Sequence, residues 1–339
     1  MKKFILFSLC AFLTVLAVRA GYVISLTAPP DKDGAMAYLY ADSDTPLDSA
    51  LISDFEAVFT GTIANPCYAN IIVDGGRIAD FYLENDSIDI SVSVEEIPGG
   101  VRTTWDVRGG ALNKAKRELV DKIRELSSNY KSAASEAERT EISKQYDDIL
   151  RNAMADNADN AFGASIAMQT RQPKEYFESH PAIMQLTAVK SYLSNLEIKE
   201  KTKPGKIFSD FSVEYNGDIH RLSDVVGKGD YVLLDFWASW CGPCIKSMDH
   251  LKKMYSLYKD KNFRILGVTV GDKPENSLSA IDRLALPWEI WLSDGGEGAS
   301  QTYMVESIPH TVLFAPDGTI LLNNAPISEL EALLAEIFE

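Results

Sequence analysis

From Tyr231 to Phe236 the chain is almost continuously apolar, with Asp235 as its one charge, and five residues later it reaches Cys241-Gly242-Pro243-Cys244. A run of this kind is what a strand buried on both faces of a parallel sheet requires. A second run, Phe263 to Val270, comes after a stretch with helical periodicity from Cys241 to about Tyr258. Two such strands with a helix between them form a βαβ unit. A further helix is predicted over Ser277 to Leu284, a hairpin over Ile308 to Phe314 and Thr319 to Leu322 turning at Pro316-Asp317-Gly318, and a last helix over Ser328 to Phe338.

This arrangement sets Cys241 at the mouth of a helix, where unpaired N–H groups and the positive end of the helix dipole favour thiolate over thiol. A cysteine there is a candidate nucleophile. Cys244, one turn deeper, is placed to attack a mixed disulfide formed by Cys241, and Gly242 and Pro243 shape the turn. Half of a zinc site has the same C-x-x-C spacing, with His250 as a conceivable third ligand, but no fourth ligand emerges. A purely structural disulfide over so short a loop would add little stability. No metal and no cofactor are expected.

The remainder is organised differently. Residues 1–20 pair Lys2 and Lys3 with an apolar run from Phe4 to Val18 and the small-residue site Val18-Arg19-Ala20, the pattern of an export signal peptide. An uncleaved anchor is the competing reading, although a span needs about 20 apolar residues. Cys10 is no lipid-attachment site, since Leu9 before it is not small. Loss of Lys2, Lys3 and Arg19 leaves 30 basic against 49 acidic residues, a net charge of −19. Nucleic acid is thereby an unlikely partner. The retained cysteines, Cys67, Cys241 and Cys244, are an odd count with one close pair, which suits a working pair better than a stapled scaffold.

Over 21–108, short apolar runs alternate with breakers such as Pro29-Pro30, Asn65-Pro66 and Asp74-Gly75-Gly76, and Ser87 to Val94 alternates strictly. An all-β, sandwich-like domain is predicted. Over 109–200 the period becomes helical, with Leu112, Leu119, Ile123 and Leu126 on one face, a second helix near Ser135 to Met154 and shorter ones near Asn160 to Gln169 and Pro181 to Leu196. The charged segment Glu197 to Lys206 reads as a linker into the last domain, 203–339.

The segment Leu234-Asp235-Phe236-Trp237-Ala238-Ser239-Trp240-Cys241-Gly242-Pro243-Cys244 resembles the active-site strand and motif of the thioredoxin family. The likeness extends through Phe211 to Gly227 and Gly267 to Leu292, similar to the amino-terminal hairpin and the extra strand-helix insertion of TlpA-like envelope thioredoxins. Ser307-Ile308-Pro309-His310-Thr311 falls at that family's cis-proline loop. The resemblance implies an α/β thioredoxin fold for 203–339 and a thiol-disulfide oxidoreductase in which Cys241 attacks and Cys244 resolves. It makes Asp235 the buried carboxylate that assists proton movement, unless this is a strand-end Asp paired to a lysine or turn. Trp240, Ile308 and Pro309, with Gly242 and Pro243, become the substrate-binding set; Pro309 as an ordinary loop proline is the alternative. The Gly-Pro dipeptide matches reducing members, so disulfide-bearing envelope proteins are the implied substrates and a membrane electron donor the implied partner.

Residues 21 to about 195 resemble the β-rich domain of unknown function and helical connector that precede TlpA-like domains in Bacteroidetes envelope proteins, through Gly34 to Leu39, Phe59-Thr60-Gly61 and Phe81 to Asn85. The multidomain chain is accordingly expected in the periplasm or envelope. Cys67 could bridge a dimer or meet Cys241, or stay a buried thiol. A peroxiredoxin is disfavoured, because no cysteine here follows a Pro-x-x-x-Thr-x-x pattern. The competing reading from another class is an envelope binding protein whose thioredoxin-like part only senses redox state.

Overall fold

The computed structural model describes residues 21–98, 100–215, 217–293 and 298–338, and the signal segment expected over residues 1–20 lies outside them. The chain divides into two compact units, the first ending at Tyr192 and the second beginning at Leu193. Among the described residues no helix is long and apolar enough to cross a membrane.

In the first unit the described residues form eight strands in two four-stranded sheets: β1 (Tyr22–Thr27), β2 (Met36–Ala41), β3 (Asp48–Leu51), β4 (Glu56–Gly61), β5 (Cys67–Val73), β6 (Gly76–Leu83), β7 (Ser87–Ile97) and β8 (Gly100–Arg108). Their orders are β4-β1-β7-β8 and β3-β2-β5-β6. Alternation explains the core. In β1, Tyr22, Ile24 and Leu26 turn inward while Val23, Ser25 and Thr27 stay accessible, and Ile88, Ile90 and Val92 of β7 do the same. Phe59, Phe81, Leu39 and Ile71 fill the same core. Strand β8 carries a weaker pattern than β7. The inward positions of β8 are Thr103, Trp105 and Val107, none fully buried, so its alternation is faint.

Five helices come next among the described residues: α1 (Ala111–Ser132), α2 (Glu136–Asp156), α3 (Ala161–Gln169), α4 (Lys174–Glu178) and α5 (Thr187–Lys201). Side chains close their open ends: Glu84 accepts from the Leu112 N–H at 2.8 Å, Ser135 from Glu138 N–H, and Asn160 from both Phe162 and Gly163 N–H. The Asn113 amide bonds both the N–H and the C=O of Tyr82, at 2.8 Å each, and so occupies the free edge of β6.

Two expectations are corrected here. The helix expected over Pro181 to Leu196 starts only at Thr187, because Leu186 is extended after a single 3₁₀ turn at Ile183–Gln185. The segment expected as a linker, Glu197 to Lys206, is helical as far as Lys201, as straight-chain Glu and Lys residues favour. Thr202 beyond it is buried, its carbonyl accepting from the Asn323 amide.

The second unit contains the hairpin β9 (Ser212–Tyr215) and β10 (Asp218–Arg221), then β11 (Tyr231–Trp237), α6 (Gly242–Tyr258), β12 (Phe263–Thr269), α7 (Pro274–Leu284), β13 (Glu289–Trp291), α8 (Gly298–Thr302), β14 (His310–Phe314), β15 (Ile320–Asn323) and α9 (Ile327–Phe338). Its main sheet has the order β13-β12-β11-β14-β15, with β11, β12 and β13 parallel and β14 and β15 antiparallel. Period two divides β11 between two cores. Val232, Leu234 and Phe236 pack with Phe211, Tyr303 and Phe314, while Leu233 and Trp237 pack beneath Met248, Leu251 and Met254 of α6 and Leu330 and Leu334 of α9. Each such buried side chain contributes roughly 1.5–3 kcal/mol. Asp235 shares the second face with Leu233 and Trp237, and that is the side on which both cysteines lie.

Candidate active site

Strand β11 ends at Trp237, and beyond Ala238, Ser239 and Trp240 the next residue, Cys241, becomes the N-cap of α6, with extended backbone (φ −81°, ψ 98°). Its sulfur accepts a hydrogen bond from the Cys244 N–H at 3.1 Å, the role a serine or aspartate oxygen has at other helix starts. Pro243 occupies the first turn, where a missing N–H costs nothing. Cys241 and Cys244 are joined as a disulfide, their Cα atoms 5.2 Å apart. Cys244 is completely enclosed, whereas Cys241 keeps 4% of its surface. Of the two residues, Cys241 is the less enclosed.

The loop before β14 brings Ile308 and Pro309 to this point, both half-buried and joined by a cis peptide bond. The Ile308 carbonyl oxygen lies 3.7 Å from the Cys241 sulfur. Trp240 is 64% exposed, yet its indole N–H donates to the Gly271 carbonyl at 2.9 Å. Gly242 and Pro243 are exposed beside it, and a Cβ added at Gly242 would meet nothing within 4 Å. Thus Trp240, Gly242 and Pro243 flank Cys241 in the chain, and the Ile308–Pro309 turn reaches it through the Ile308 carbonyl.

Asp235 is 1% exposed, and neither of its carboxylate oxygens has a hydrogen-bond partner. Burial without compensation penalises the anion and pushes the pKa up from 3.8 to about 7. The alternative of a strand-end Asp paired to a lysine or a turn does not match these partnerless oxygens. Trp237, two residues on along the same face, is fully buried with its indole N–H likewise unpartnered.

Three further side chains have surroundings of their own. His250 pairs with Glu331 at 2.8 Å on the surface of α6. His310 is buried against Phe236 and bonded through Nε2 to the Asn323 side chain at 2.9 Å, and burial pushes its pKa down. Cys67, in the first unit, is a buried free thiol whose pKa burial pushes up to about 11. One participant is not evident from sequence. Asp272, after β12, accepts from the Ser239 N–H at 2.6 Å, two residues before Cys241. Its only sequence signal is a carboxylate just past the end of a buried parallel strand, where α/β sheets place their sites.

Known proteins resemble this chain in two separate regions. The AhpC/TSA family model matches residues 204–322, and the model of a domain of unknown function, DUF4369, matches residues 22–115. A thiol-disulfide oxidoreductase ResA from Bacillus thuringiensis subsp. konkukian is 31% identical over 124 residues, 36% of this chain and 70% of the relative. The chain belongs to the thioredoxin-like thiol-disulfide oxidoreductases. The ResA of Geobacillus kaustophilus is 33% identical over 119 residues, 35% of this chain, and the match spans 64% of that relative's length. Among solved structures, the thioredoxin domain of a thiol-disulfide oxidoreductase from Bacteroides vulgatus is similar at 27% identity with a TM-score of 0.37, covering 40% of this chain and 99% of that one. A putative thiol:disulfide interchange protein DsbE from Chlorobium tepidum is similar at 28% identity and a TM-score of 0.36, covering 40% of this chain and 95% of that one. Membership in this oxidoreductase family rests on residues 204–322, with the DUF4369 region preceding it.

Proposed function

We propose that the chain is a disulfide reductase of the cell envelope. In its reduced form the Cys241 thiolate attacks one sulfur of a substrate disulfide, forming a mixed disulfide and expelling the other substrate sulfur as a thiolate. Cys244 then attacks the Cys241 sulfur and releases the second substrate thiol, leaving the Cys241–Cys244 disulfide. Asp235 accepts the Cys244 proton in that step, a task for which a carboxyl held near neutrality by burial is suited. Trp240, Gly242, Pro243 and the Ile308–Pro309 backbone form the surface on which an extended disulfide-bearing peptide lies. A membrane dithiol donor returns two electrons to Cys241 and Cys244, and residues 1–20 direct export.

The observation that carries this reading is the cysteine pair at the start of α6, with the accessible sulfur held by the Cys244 N–H and facing the Ile308 carbonyl. Reduction of insulin disulfides by dithiothreitol, with catalytic amounts of the protein, tests it. The wild type accelerates precipitation of the insulin B chain and Cys241→Ser does not; a Cys241→Ser protein as fast as wild type overturns the reading.

A further inference from the structure

We propose that Asp272 is a positioning residue for the dithiol site, holding the segment Ser239-Trp240 that leads into Cys241. This rests on the reductase reading above and adds to it a residue outside the cysteine motif, on the loop between β12 and α7.

The last regular pair of the parallel ladder between β11 and β12 is Trp237 with Thr269, and one more backbone bond extends it, from the Val270 N–H to the Trp237 carbonyl at 3.0 Å. Beyond this point the two chains diverge, since β11 must turn into the N-terminus of α6. The next N–H on the β11 side, at Ser239, therefore has no ladder carbonyl opposite it, and an unpaired half-buried N–H is costly. The Asp272 carboxylate takes the place of that carbonyl, at 2.6 Å. One residue further on, the Trp240 indole N–H reaches the Gly271 carbonyl at 2.9 Å. Two successive residues of the active-site turn are thus fastened to two successive residues of one loop.

Asp272 is itself fixed. The same oxygen that accepts from Ser239 also accepts from the Ser277 hydroxyl at 2.8 Å, and the other accepts from the Lys273 N–H at 2.9 Å. Ser277 is completely buried on the inner face of α7. Burial alone would raise the Asp272 pKa, but the hydrogen bonds from Ser239, Ser277 and Lys273 outweigh it and keep the carboxyl below its usual range. The anchor is consequently charged across the neutral range. Charge-assisted bonds of this kind are roughly twice as strong as neutral ones, which suits an anchor for an indole that otherwise projects into solvent. The role of Asp272 is geometric: Trp240 is held as one wall beside the accessible sulfur, and a displacement of about 1 Å in such a wall is enough to slow a reaction that depends on alignment.

The test uses the full mature chain with Asp272→Ala and Asp272→Asn, each alone and in a Trp240→Ala background, with insulin reduction rates and thermal unfolding measured together. Activity of the wild type establishes the underlying reading independently of Asp272, and its absence would count against that reading rather than against the anchor. With the wild type active, Asp272→Ala is expected to slow reduction about tenfold, and Asp272→Asn, which retains an acceptor oxygen for Ser239, to recover most of the rate. In the Trp240→Ala background Asp272→Ala is expected to cost less than threefold, because the wall it holds is already gone. The proposal is overturned if Asp272→Ala reduces insulin within twofold of wild type. It is equally overturned if the loss is the same with and without Trp240, or if Asp272→Asn recovers nothing while both variants unfold at the same lowered temperature.

Discussion

The sulfur of Cys241 and the carbonyl oxygen of Ile308 stand 3.7 Å apart, next to the exposed Trp240. In the proposed reaction an extended peptide bonded to that carbonyl would bring its own disulfide to the same sulfur. Cys244, bonded to Cys241, is fully enclosed, and in the proposed cycle it acts on the mixed disulfide only through Cys241.

Removal of the enclosed sulfur therefore halts the cycle after its first step. A Cys244→Ala protein is expected to accumulate a mixed disulfide between Cys241 and substrate, seen as a dithiothreitol-sensitive adduct on a non-reducing gel. Cys241→Ala is expected to give none.

Asp235 links activity to stability through pH. Its pKa is 3.8 in the unfolded chain and about 7 when folded, so between these values the folded chain holds a proton that the unfolded chain has released. Stability is therefore full below pH 4, falls as the pH rises, and has lost its whole share above pH 7, a span of about three units or roughly 4 kcal/mol. Asp235→Asn removes this loss. Chemical denaturation is expected to show the variant more stable than wild type at pH 8 by up to that amount and equal near pH 4, while insulin reduction slows by about 10²-fold.

In the first unit the edge of β6 depends on a single amide. Asn113→Ala leaves the Tyr82 N–H and C=O buried without partners, and each orphaned group costs about 1–3 kcal/mol. Urea unfolding of this variant is expected to show a loss of roughly 2–6 kcal/mol in the transition of the first unit, with insulin reduction by the second unit retained.

Gly109 is another sensitive point there. It has φ +85°, and a Cβ would come within 2.0 Å of the Ser87 carbonyl oxygen, a backbone atom that cannot swing aside. Gly109→Ala is expected to destabilise the first unit by more than about 2 kcal/mol, whereas Gly34→Ala, where φ is similar but the surroundings are open, costs only its backbone strain, about 1 kcal/mol. Urea unfolding of the two variants side by side checks the difference.

The sequence made the second unit legible because its signals are local and mutually consistent. The apolar runs of β11 and β12 bracket a helix, and the cysteines at its start carry a recognisable chemistry. Asp235 stood out as the one charge in a buried strand. Where the signal was weak, the fold escaped notice. Strand β8 presents Thr103, Trp105 and Val107 inward without burying any of them fully, and α4 spans only five residues. The charges from Glu197 to Lys201 read as solvated linker although the segment is helical, and the carbonyl of Thr202 just beyond it is bonded by Asn323, a partner 121 residues away. Asp272 escaped for the same reason: its meaning depends on the Ser239 N–H, 33 residues distant, which only the divergence of two strands leaves open.

The most direct test of the whole account is which sulfur reacts first. The fully reduced protein, treated at pH 7 with less than one equivalent of iodoacetamide and mapped by mass spectrometry, is expected to carry the label on Cys241, with enclosed Cys244 and Cys67 unmodified until denaturant is added. Label found first on Cys244 or Cys67, or spread evenly over the three, would contradict it.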